Sequence, residues 1–345
     1  MRLLITGGCG FIGSHFVNHA MRTHADWEVC VLDKLTYAGS LDRIDEDLRR
    51  SSRFSFLRGD ILDRPLVERA VRGADVVVHY AAESHVSYSF VHADLFADVN
   101  VRGTSILCET VVHAAVQKLI LVSSSEVYGN CVQAPMSEAH PLNPRSPYAG
   151  SKAAADRLAY SYQVAFGIPL VIVRPFNNYG PFQHTEKVVP RFITHALKNE
   201  PLHVHDDGMQ TRDWLHVRDH ARAMDAIVCA DPQTVVGEVI NIGTGQELTI
   251  RDIAAAVARE VSSGSEVRFN DYQRPGQVRR QVSTTDTVKR LVGWSATTSF
   301  EDGIRETVRW YAANEQWWSK LTSPANAVDQ PRMSPRHVEV HGLAR

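Results

Sequence analysis

The chain has 345 residues, of which 44% are hydrophobic and 22% are charged, and its formal net charge at pH 7 is −2. This composition is typical of a globular protein with enough apolar material for one large or two modest domains. The near-neutral charge gives no electrostatic support for a protein that binds nucleic acid or an anionic membrane. The five cysteines are widely spaced with no CxxC pair, so we expect reduced packing residues.

The first residues of the sequence and the lengths of its apolar runs indicate where in the cell the protein is expected. No basic segment followed by an apolar one precedes the first predicted strand, as a secretion signal would require. The longest apolar runs have about the length of a strand, well short of the roughly 20 residues that span a bilayer. We therefore expect a cytoplasmic protein without a membrane partner.

Short apolar runs alternate with amphipathic stretches of helical length in the first half of the chain. The runs are rich in Val, Ile and Leu without polar alternation, as expected for strands that are covered on both faces. The predicted strands are 3–6, 29–33, 54–58, 76–79, 119–123 and 170–174, and the predicted helices are 13–24, 64–72, 96–116 and 149–166. Repeated β-α units of this kind predict an α/β fold with a Rossmann-type, doubly wound parallel sheet.

The alternation is less regular after residue 175. Loops containing Pro, Gly and Asn mix with a predicted helix near 188–198, strands near 202–205 and 213–217, and a helix at 250–262. We predict a first domain from 1–175 plus about 213–240, and a smaller mixed α/β domain from 176–212 and 241–320. Residues 321–345 have little apolar content and are predicted to form a disordered tail.

A glycine-rich turn joins the first predicted strand to the first helix. LLITGGCGFIG contains Gly7, Gly10 and Gly13, and glycine lets a backbone bend tightly and approach a pyrophosphate at a helix N-terminus. Asp33 ends the next predicted strand, about 20 residues further on, where an acid accepts hydrogen bonds from a ribose 2′-hydroxyl and repels a 2′-phosphate. Together these features predict an NAD site.

Two further groups of polar residues have catalytic character. Ser123 to Glu126 follow the fifth predicted strand, at the sheet edge where doubly wound folds bind ligands. SPYAGSKAAADRL places Tyr148 and Lys152 at positions i and i+4, on one face of a helix. A free tyrosine has a pKa of about 10. A nearby ammonium group and a positive nicotinamide ring favour the phenolate, which can then act as a base.

Motifs spread over roughly residues 1–320 resemble those of the extended short-chain dehydrogenases/reductases, and within these the dTDP-glucose 4,6-dehydratases. They are TGGCGFIGSH, LDKLTYAGSL, YAAESHVSYS, SSSEVYG, SPYAGSK, NNYGPFQHTEKVVPRFI, QTRDWLHVRDHARA, NIGTG and RPGQVRR. The resemblance implies an NAD-dependent enzyme whose substrate is a nucleotide-diphosphate sugar, with NAD in the first domain and the nucleotide sugar in the second. It also implies a homodimer formed through helices near 96–116 and 149–166.

The resemblance further implies roles for individual residues. The catalytic group is Ser124, Ser125, Glu126, Tyr148 and Lys152. The cofactor contacts are Gly7, Gly10, Phe11, Ile12, Gly13, Asp33, Lys34, Thr36, Asp60, Ile61, Ala81, Ala82 and Ser123, together with Tyr148 and Lys152. The substrate contacts are Ser84, Asn177, Lys187, Arg191, Arg212, Asn241 and Arg274, and no metal ligand is expected. Two alternatives stay open: Asp60 as a helix N-cap, and Arg212 in an ion pair with Asp213 or Asp219.

The turn after the fifth strand departs from this family. It reads Ser-Thr-Asp-Glu-Val-Tyr-Gly in the dehydratases and SSSEVYG at 123–129 here, so Ser125 stands where the family has Asp. In the family, tyrosine takes the proton of the sugar C4 hydroxyl, Glu takes the C5 proton, and Asp protonates the departing C6 hydroxyl. Loss of a general acid costs about 10²–10⁴ in rate unless another group replaces it. We hypothesise that Glu126, once protonated from C5, delivers this proton to C6.

The departure leaves other functions open. A 4-epimerase needs only the C4 oxidation, a UDP-glucuronate decarboxylase needs no C6 leaving group, and a 5,6-dehydratase returns the hydride to C4. Ser87 and Tyr88 stand where the dehydratases usually have Asp-Arg, and Gln277 stands for the usual His, so the sugar or base pocket is expected to differ. Ser125 could equally be a hydrogen-bonding residue at a strand end. A non-enzymatic NAD-binding regulator is the alternative of a different class, and it would be expected to lose Tyr148 or Lys152.

Overall fold

The computed structural model describes residues 1–272 and 274–321, so the predicted tail lies outside the described residues from position 322 onward. The strands in this part of the chain are β1 Arg2–Thr6, β2 Glu28–Asp33, β3 Phe54–Arg58, β4 Val76–His79, β5 Lys118–Val122, β6 Leu170–Pro175, β7 Asn177–Tyr179, β8 Leu202–His205, β9 Thr211–His216, β10 Val239–Ile242, β11 Glu247–Thr249 and β12 Val267–Asn270.

The helices are α1 Phe11–Thr23, α2 Glu46–Arg49, α3 Arg64–Val71, α4 Val86–Ser89, α5 Ala93–Phe96, α6 Gly103–Val112, α7 Pro147–Phe166, α8 Val188–Leu197, α9 Val217–Cys229, α10 Pro232–Val235, α11 Ile250–Val261, α12 Asp286–Val292, α13 Phe300–Ala313 and α14 Glu315–Trp318. None of these helices is both long enough and apolar enough to cross a bilayer.

The largest sheet has seven parallel strands in the order β10-β6-β5-β4-β1-β2-β3. Residues of α1 and α9 cover one face and residues of α3, α6 and α7 cover the other, so the central strands are buried on both sides. This burial explains why the strands are continuously apolar. The predicted doubly wound α/β fold is therefore confirmed, and the order reverses between β1 and β4.

The predicted helix at 96–116 is present, but it contains a π-helical segment and ends at Val112, before the predicted end. The segment forms α5, a π-helical segment Ala97–Arg102, and α6, which ends at Val112. The side chain of Asn100 is buried here and binds the Glu83 backbone and the Ser151 hydroxyl. Thr104 donates its hydroxyl to the Asn100 carbonyl at 2.6 Å. These contacts compete with regular helical hydrogen bonds and accompany the wider turn.

Two small sheets lie in the second half of the chain. One has the order β11-β9-β7 and the other pairs β12 with β8 in parallel. Strand β9 thus belongs to a small sheet, although the segment near 213–217 was assigned to the first domain, whereas β10 joins the large sheet. The division of the chain into two domains at the predicted boundaries stays a prediction.

A buried ion pair joins α7, the helix that contains Tyr148 and Lys152, to β6. The Asp156 carboxylate accepts hydrogen bonds from Arg174 Nε at 2.9 Å and Nη2 at 3.0 Å, and both side chains are almost fully buried. Burial raises the pKa of Asp156, but the hydrogen bonds and charge of Arg174 outweigh burial and hold the pKa below its ordinary value. The pair therefore stabilises the fold above the unfolded-state pKa and loses this effect as the pH falls through the lower folded-state pKa.

We expect Asp156→Asn to lower the free energy of unfolding by roughly 3–5 kcal/mol, because the buried guanidinium of Arg174 then lacks its counter-charge. Urea denaturation followed by circular dichroism measures this loss. Asp98→Asn is the control, because Asp98 pairs with Arg102 on the surface at 3.6 Å and such pairs contribute less than about 1 kcal/mol. Equal losses in the two variants would contradict the prediction.

Candidate active site

One cavity of about 670 Å³ opens at the carboxyl edge of the large sheet. It extends from the glycine turn after β1, past the loops after β2, β4 and β5, to the N-terminal part of α8 and to β9. The reversal of strand order between β1 and β4 lies beneath it, which is the usual ligand position in doubly wound sheets. Both groups of polar residues predicted from the sequence, the strand-end serines and the Tyr-Lys pair, line this cavity.

The glycine turn leaves no room for larger side chains. Gly7 has φ +70°, and a Cβ atom on it would lie 2.5 Å from the backbone nitrogen of Ala81; a Cβ atom on Gly13 would lie 2.5 Å from the Gly7 carbonyl oxygen. The N-cap of α1 is Gly10, which has no side chain to cap the first N–H groups of the helix. An uncapped helix N-terminus beside a cavity suits a phosphate group.

Asp33 organises the same region. One carboxylate oxygen accepts a hydrogen bond from the backbone N–H of Cys9 at 2.9 Å, and the other accepts one from the N–H of Leu35 at 2.8 Å. Asp33 therefore joins the glycine turn to the loop after β2. Each carboxylate oxygen has more than one lone pair, so it can also accept a hydrogen bond from a ribose hydroxyl.

Lys34 and Asp60 form an ion pair at the rim, with 2.7 Å between Nζ and Oδ2. The hydrogen bond to Asp60 raises the pKa of Lys34. The N-cap of α3 is Asp63, whose carboxylate accepts from the Leu66 N–H at 3.2 Å. Asp60 instead accepts from the Leu62 N–H and lines the cavity, so the N-cap alternative for Asp60 is wrong.

The serine turn follows β5 directly. The Ser123 hydroxyl oxygen is buried and has no hydrogen-bond partner among the described residues. Ser124 is the N-cap of the short 3-10 turn Ser125–Tyr128, and its hydroxyl accepts from the Glu126 N–H at 3.2 Å. Ser125 is only 2% exposed, and its carbonyl accepts from Gln281 Nε2 at 3.0 Å. An unpartnered buried hydroxyl beside this cavity is consistent with a ligand that completes its hydrogen bonding.

Tyr148 and Lys152 lie on the first turns of α7, next to this serine turn. Burial raises the pKa of Tyr148 to about 12, while a hydrogen bond from Ser124 lowers it and the charge of Glu126 raises it. Burial lowers the pKa of Lys152 to about 8, and its ammonium group donates to the Val122 carbonyl at 2.7 Å. The phenolate is thus disfavoured in the protein alone, and a further positive charge nearby would favour it.

Glu126 faces Arg212 across the cavity, with 4.0 Å between Oε1 and Nε. Burial lowers the pKa of Arg212 and the Glu126 carboxylate raises it. Asp213, by contrast, accepts from Thr244, Gly245 and Ser283, and Asp219 pairs with Arg222. The alternative ion pair of Arg212 with Asp213 or Asp219 is therefore wrong, and Arg212 keeps its charge in the cavity beside Glu126.

The motifs and this geometry agree with a comparison to known proteins. The family model described as GDP-mannose 4,6 dehydratase matches residues 4–307. The chain belongs to this family. A dTDP-glucose 4,6-dehydratase from Streptomyces niveus is 38% identical over 337 residues, which cover 96% of this chain and 98% of that relative.

Solved structures of family relatives have the same fold. A double mutant of dTDP-glucose 4,6-dehydratase from Streptomyces venezuelae, crystallised with NAD, has a TM-score of 0.88 and 40% identity; the match covers 93% of this chain and 100% of that one. A UDP-glucuronic acid 4-epimerase from Bacillus cereus, in complex with UDP-glucuronic acid and NAD, has a TM-score of 0.85 and 30% identity, covering 91% and 99%. Dehydratases and epimerases thus share this architecture.

Most of the predicted substrate contacts lie in the cavity. Lys187 donates to the Ser84 carbonyl at 2.9 Å, and Asn177, Arg191 and Arg274 also line the cavity. Asn241 is the exception, and its predicted position in the site is wrong. It is fully buried behind Tyr128, whose hydroxyl donates to Asn241 Oδ1 at 2.7 Å, while Nδ2 donates to the Met136 carbonyl. Its side chain therefore stabilises the packing beneath the site.

Sequence reasoning missed a buried acid in the substrate half of the cavity. Glu186 lies 3.1 Å from His85 Nε2, 3.6 Å from His184 Nδ1 and 3.1 Å from Lys187 Nζ. Burial raises the pKa of Glu186, and the charges of Lys187 and the two histidines more than offset this and lower it. The adjacent Glu-Lys pair in the HTEK segment was the available signal, but only Lys187 was selected.

The three residues that differ from those usual in the dehydratases, Ser87, Tyr88 and Gln277, do not all lie in the cavity. Ser87 and Gln277 line the cavity, so both can affect which ligand fits. The Tyr88 ring packs 4.1 Å from the His92 ring, between centroids, and also lies near Phe96. The departures at Ser87 and Gln277 therefore bear on the ligand pocket, and Tyr88 takes part in side-chain packing beside it.

Proposed function

We propose that this chain is an NAD-dependent nucleotide-sugar 4,6-dehydratase. One observation carries the proposal: the glycine turn, Tyr148, Lys152 and Glu126 line a single cavity in a chain that resembles a dTDP-glucose 4,6-dehydratase over nearly its full length. This arrangement supports the proposal because a cavity with a dinucleotide-type glycine turn also contains two separate groups, Tyr148 and Glu126, that can transfer protons.

NAD fits the first half of the cavity. The tight glycine turn and the uncapped start of α1 would hold its pyrophosphate, Asp33 would accept from the adenosine ribose, and the unpartnered Ser123 hydroxyl lies where the nicotinamide half would end. When bound, NAD supplies a reversible hydride acceptor and a fixed positive charge. Relatives of this chain are crystallised with NAD.

Tyr148 holds the first proton in the proposed reaction. Its phenolate would accept the proton of the C4 hydroxyl as that carbon is oxidised, with Ser124 donating a hydrogen bond to the phenolic oxygen. Lys152 is anchored to the Val122 carbonyl, so its ammonium group has a set position near the first turn of α7. Burial gives Lys152 a pKa of about 8, so it still carries its charge at neutral pH.

Glu126 acts at the neighbouring carbon. A C4 ketone acidifies the C5 proton, and Glu126 would take that proton and pass it to the C6 hydroxyl, which leaves as water. Return of the hydride from the cofactor to C6 and of a solvent-derived proton to C5 would then give the 4-keto-6-deoxy sugar. Arg212, at 4.0 Å, provides charge complementarity to the carboxylate. Arg191, Arg212 and Arg274 also offer cationic donors that suit a diphosphate.

The alternative reactions have less support. A 4-epimerase does not need Glu126, and a decarboxylase requires a sugar acid, whereas relatives that match nearly the whole chain are named dTDP-glucose 4,6-dehydratases. A 5,6-dehydratase would use the same base but return the hydride to C4. A regulator without activity has no use for the Tyr148 and Lys152 arrangement.

Product analysis tests the function directly. Purified protein is incubated separately with dTDP-glucose, UDP-glucose, GDP-mannose and UDP-glucuronate, and the products are analysed by mass spectrometry and NMR. We expect loss of water and a 4-keto-6-deoxy sugar from at least one hexose. Loss of carbon dioxide would favour decarboxylation, an unchanged mass with a new sugar would favour epimerisation, and no product with any substrate would contradict the proposal.

Ser125 is expected to contribute little to proton transfer if Glu126 both takes the proton from C5 and delivers it to the C6 hydroxyl. We expect Ser125→Ala to change kcat less than about threefold, whereas Ser124→Ala loses a hydrogen bond to the phenolate and lowers kcat by about 10²-fold. Steady-state rates of water loss measure both effects. A loss near 10²-fold in Ser125→Ala would instead identify its hydroxyl as the proton relay.

We also propose a homodimer through α7 and the helical segment near 96–116, which includes α6. The outer face of α7 exposes Tyr160 and Val164, which are four residues apart on one side of the helix, with Val164 69% exposed, and exposed apolar side chains of this kind suit a helix–helix interface. Val164→Glu is expected to shift the protein to a monomer in light-scattering chromatography, and a wild-type monomer would refute the interface.

All five cysteines are free, which supports the predicted cytoplasmic location.

A further inference from the structure

A second group of chemically reactive side chains lies on the opposite edge of the large sheet. His24 follows the C-terminal end of α1, and Asp225 and Cys229 occupy the last turns of α9. The cleft beside them is also lined by Val76 and Lys118, the first residues of β4 and β5. These three residues, here called the His-Asp-Cys cluster, therefore lie at the amino edge of the sheet, away from the proposed active site.

The ligand atoms of the cluster converge. His24 Nε2 lies 2.8 Å from Asp225 Oδ1 and 3.9 Å from Cys229 Sγ, and the three ligand atoms all lie within 4.8 Å of one another. His19 approaches the second carboxylate oxygen of Asp225 at 3.7 Å. Tetrahedral zinc, with bonds of about 2.0–2.3 Å, separates its ligands by roughly 3.3–3.8 Å. Shifts of less than about 1 Å would bring these atoms to coordinating distances.

The surroundings restrain the His24 ring and the backbone near the cluster. The His24 ring stacks on Trp27 with 3.6 Å between centroids, and Arg53 donates to the His24 carbonyl at 2.9 Å. Asp225 and Cys229 are four residues apart and share one face of α9. The nearby ammonium group of Lys118 is bound by carbonyl oxygens at the end of α9, including that of Ala230 at 2.6 Å.

The donor atoms of the cluster also suit a cation. Asp225 is only 17% exposed, and the partners with which it forms ion pairs among the described residues are His19 and His24, neither of which has a fixed positive charge. A thiolate, an imidazole and a carboxylate together form a donor set that suits Zn²⁺.

We propose that the His-Asp-Cys cluster binds one Zn²⁺ ion, with His19 or a water molecule as the fourth ligand. The thiol proton of Cys229 leaves to solvent as its sulfur binds the metal, and no oxidation or reduction takes place. The ion would join the end of α1 to the end of α9. Because these helices cover one face of the large sheet, its role would be structural.

Cobalt substitution tests the site by a signal that is independent of catalysis. The full-length protein is treated with chelator, exchanged into chelator-free buffer and titrated with Co²⁺. We expect one equivalent to produce tetrahedral ligand-field bands and a thiolate-to-cobalt charge-transfer band, and Zn²⁺ to displace it with a dissociation constant below about 1 µM. Cys229→Ser should abolish the charge-transfer band, and Asp225→Asn should weaken binding at least about tenfold.

Cys131→Ser is the matched control, because it removes another accessible thiol and should leave the band and the affinity unchanged. Circular dichroism checks that each variant is folded. X-ray absorption of the wild-type zinc complex gives an answer even if the variants fail to fold, because the site requires one sulfur neighbour among nitrogen and oxygen ligands. Weaker than micromolar binding, a zinc ion without sulfur, or a charge-transfer band that survives Cys229→Ser would overturn the proposal.

Discussion

Replacing Tyr148 with Phe is expected to lower the rate of sugar oxidation by at least about 10³-fold while the protein still binds NAD. The phenyl ring keeps the edge contact with Phe96, at 6.3 Å between ring centroids, so the local packing is retained. The variant loses only the oxygen that would accept the C4 hydroxyl proton. Steady-state turnover of the active nucleotide sugar measures the loss, and calorimetry measures NAD binding.

Tyr160→Phe is the matched control for this experiment. Tyr160 lies on the same helix but is 45% exposed and does not line the cavity, so removing its hydroxyl should leave turnover unchanged. If Tyr148→Phe retained more than about a tenth of wild-type turnover, Tyr148 would not be the base. A loss of NAD binding in Tyr148→Phe would point to a damaged cofactor site instead.

Replacing Glu126 with Gln is expected to lower the rate of water loss by about 10²–10⁴-fold, because the amide cannot take the C5 proton. Gln has nearly the same shape and keeps a polar side chain next to Arg212, whose Nε lies 4.0 Å from the carboxylate. Oxidation at C4 uses Tyr148 and should survive. Mass spectrometry follows water loss, and deuterium uptake from heavy water at C5 reports the proton transfer separately.

These two readouts separate the proposed dehydration from its alternatives. If Glu126→Gln loses both water elimination and deuterium uptake, the carboxylate is the C5 base, as proposed. If deuterium uptake persists while water loss stops, Glu126 acts only at C6. If the variant dehydrates at the wild-type rate, the proton transfer through Glu126 is wrong. Glu109→Gln, which removes a half-exposed carboxylate on α6, should behave as the wild type.

The parts of the fold that depend on local pattern were predictable from the sequence. Strands β3 and β4 were predicted at their observed bounds, and β4 shows the reason most clearly, because its continuous apolar run marks a parallel strand that is buried on both faces. The position of Gly7 was predictable as well, because only glycine tolerates a positive φ so close to the Ala81 backbone. Local sequence therefore indicated the sheet and the ligand-binding edge.

Contacts between residues that are distant in sequence account for what the sequence-based predictions got wrong or missed. The helix predicted at 96–116 contains a π-helical segment that was not predicted, and it occurs where Asn100 binds groups near residues 83 and 151. Asn241 was predicted to contact substrate, but in the structure its polar amide forms its hydrogen bonds with Tyr128 and Met136 in the protein interior. Glu186 was missed because its significance comes from His85, which is remote in sequence.

The sequence by itself determined the α/β class, the dinucleotide turn and the Tyr148–Lys152 pair, because each rests on residues that are neighbours along the chain or on one turn of helix. Only the tertiary structure decided that Glu126 faces Arg212, that Asn241 lies outside the cavity, and that His24 meets Asp225 and Cys229. These partners are distant in sequence, and their distances depend on how helices and loops pack on the sheet. Such packing reflects the summed burial of many side chains, which no short motif encodes.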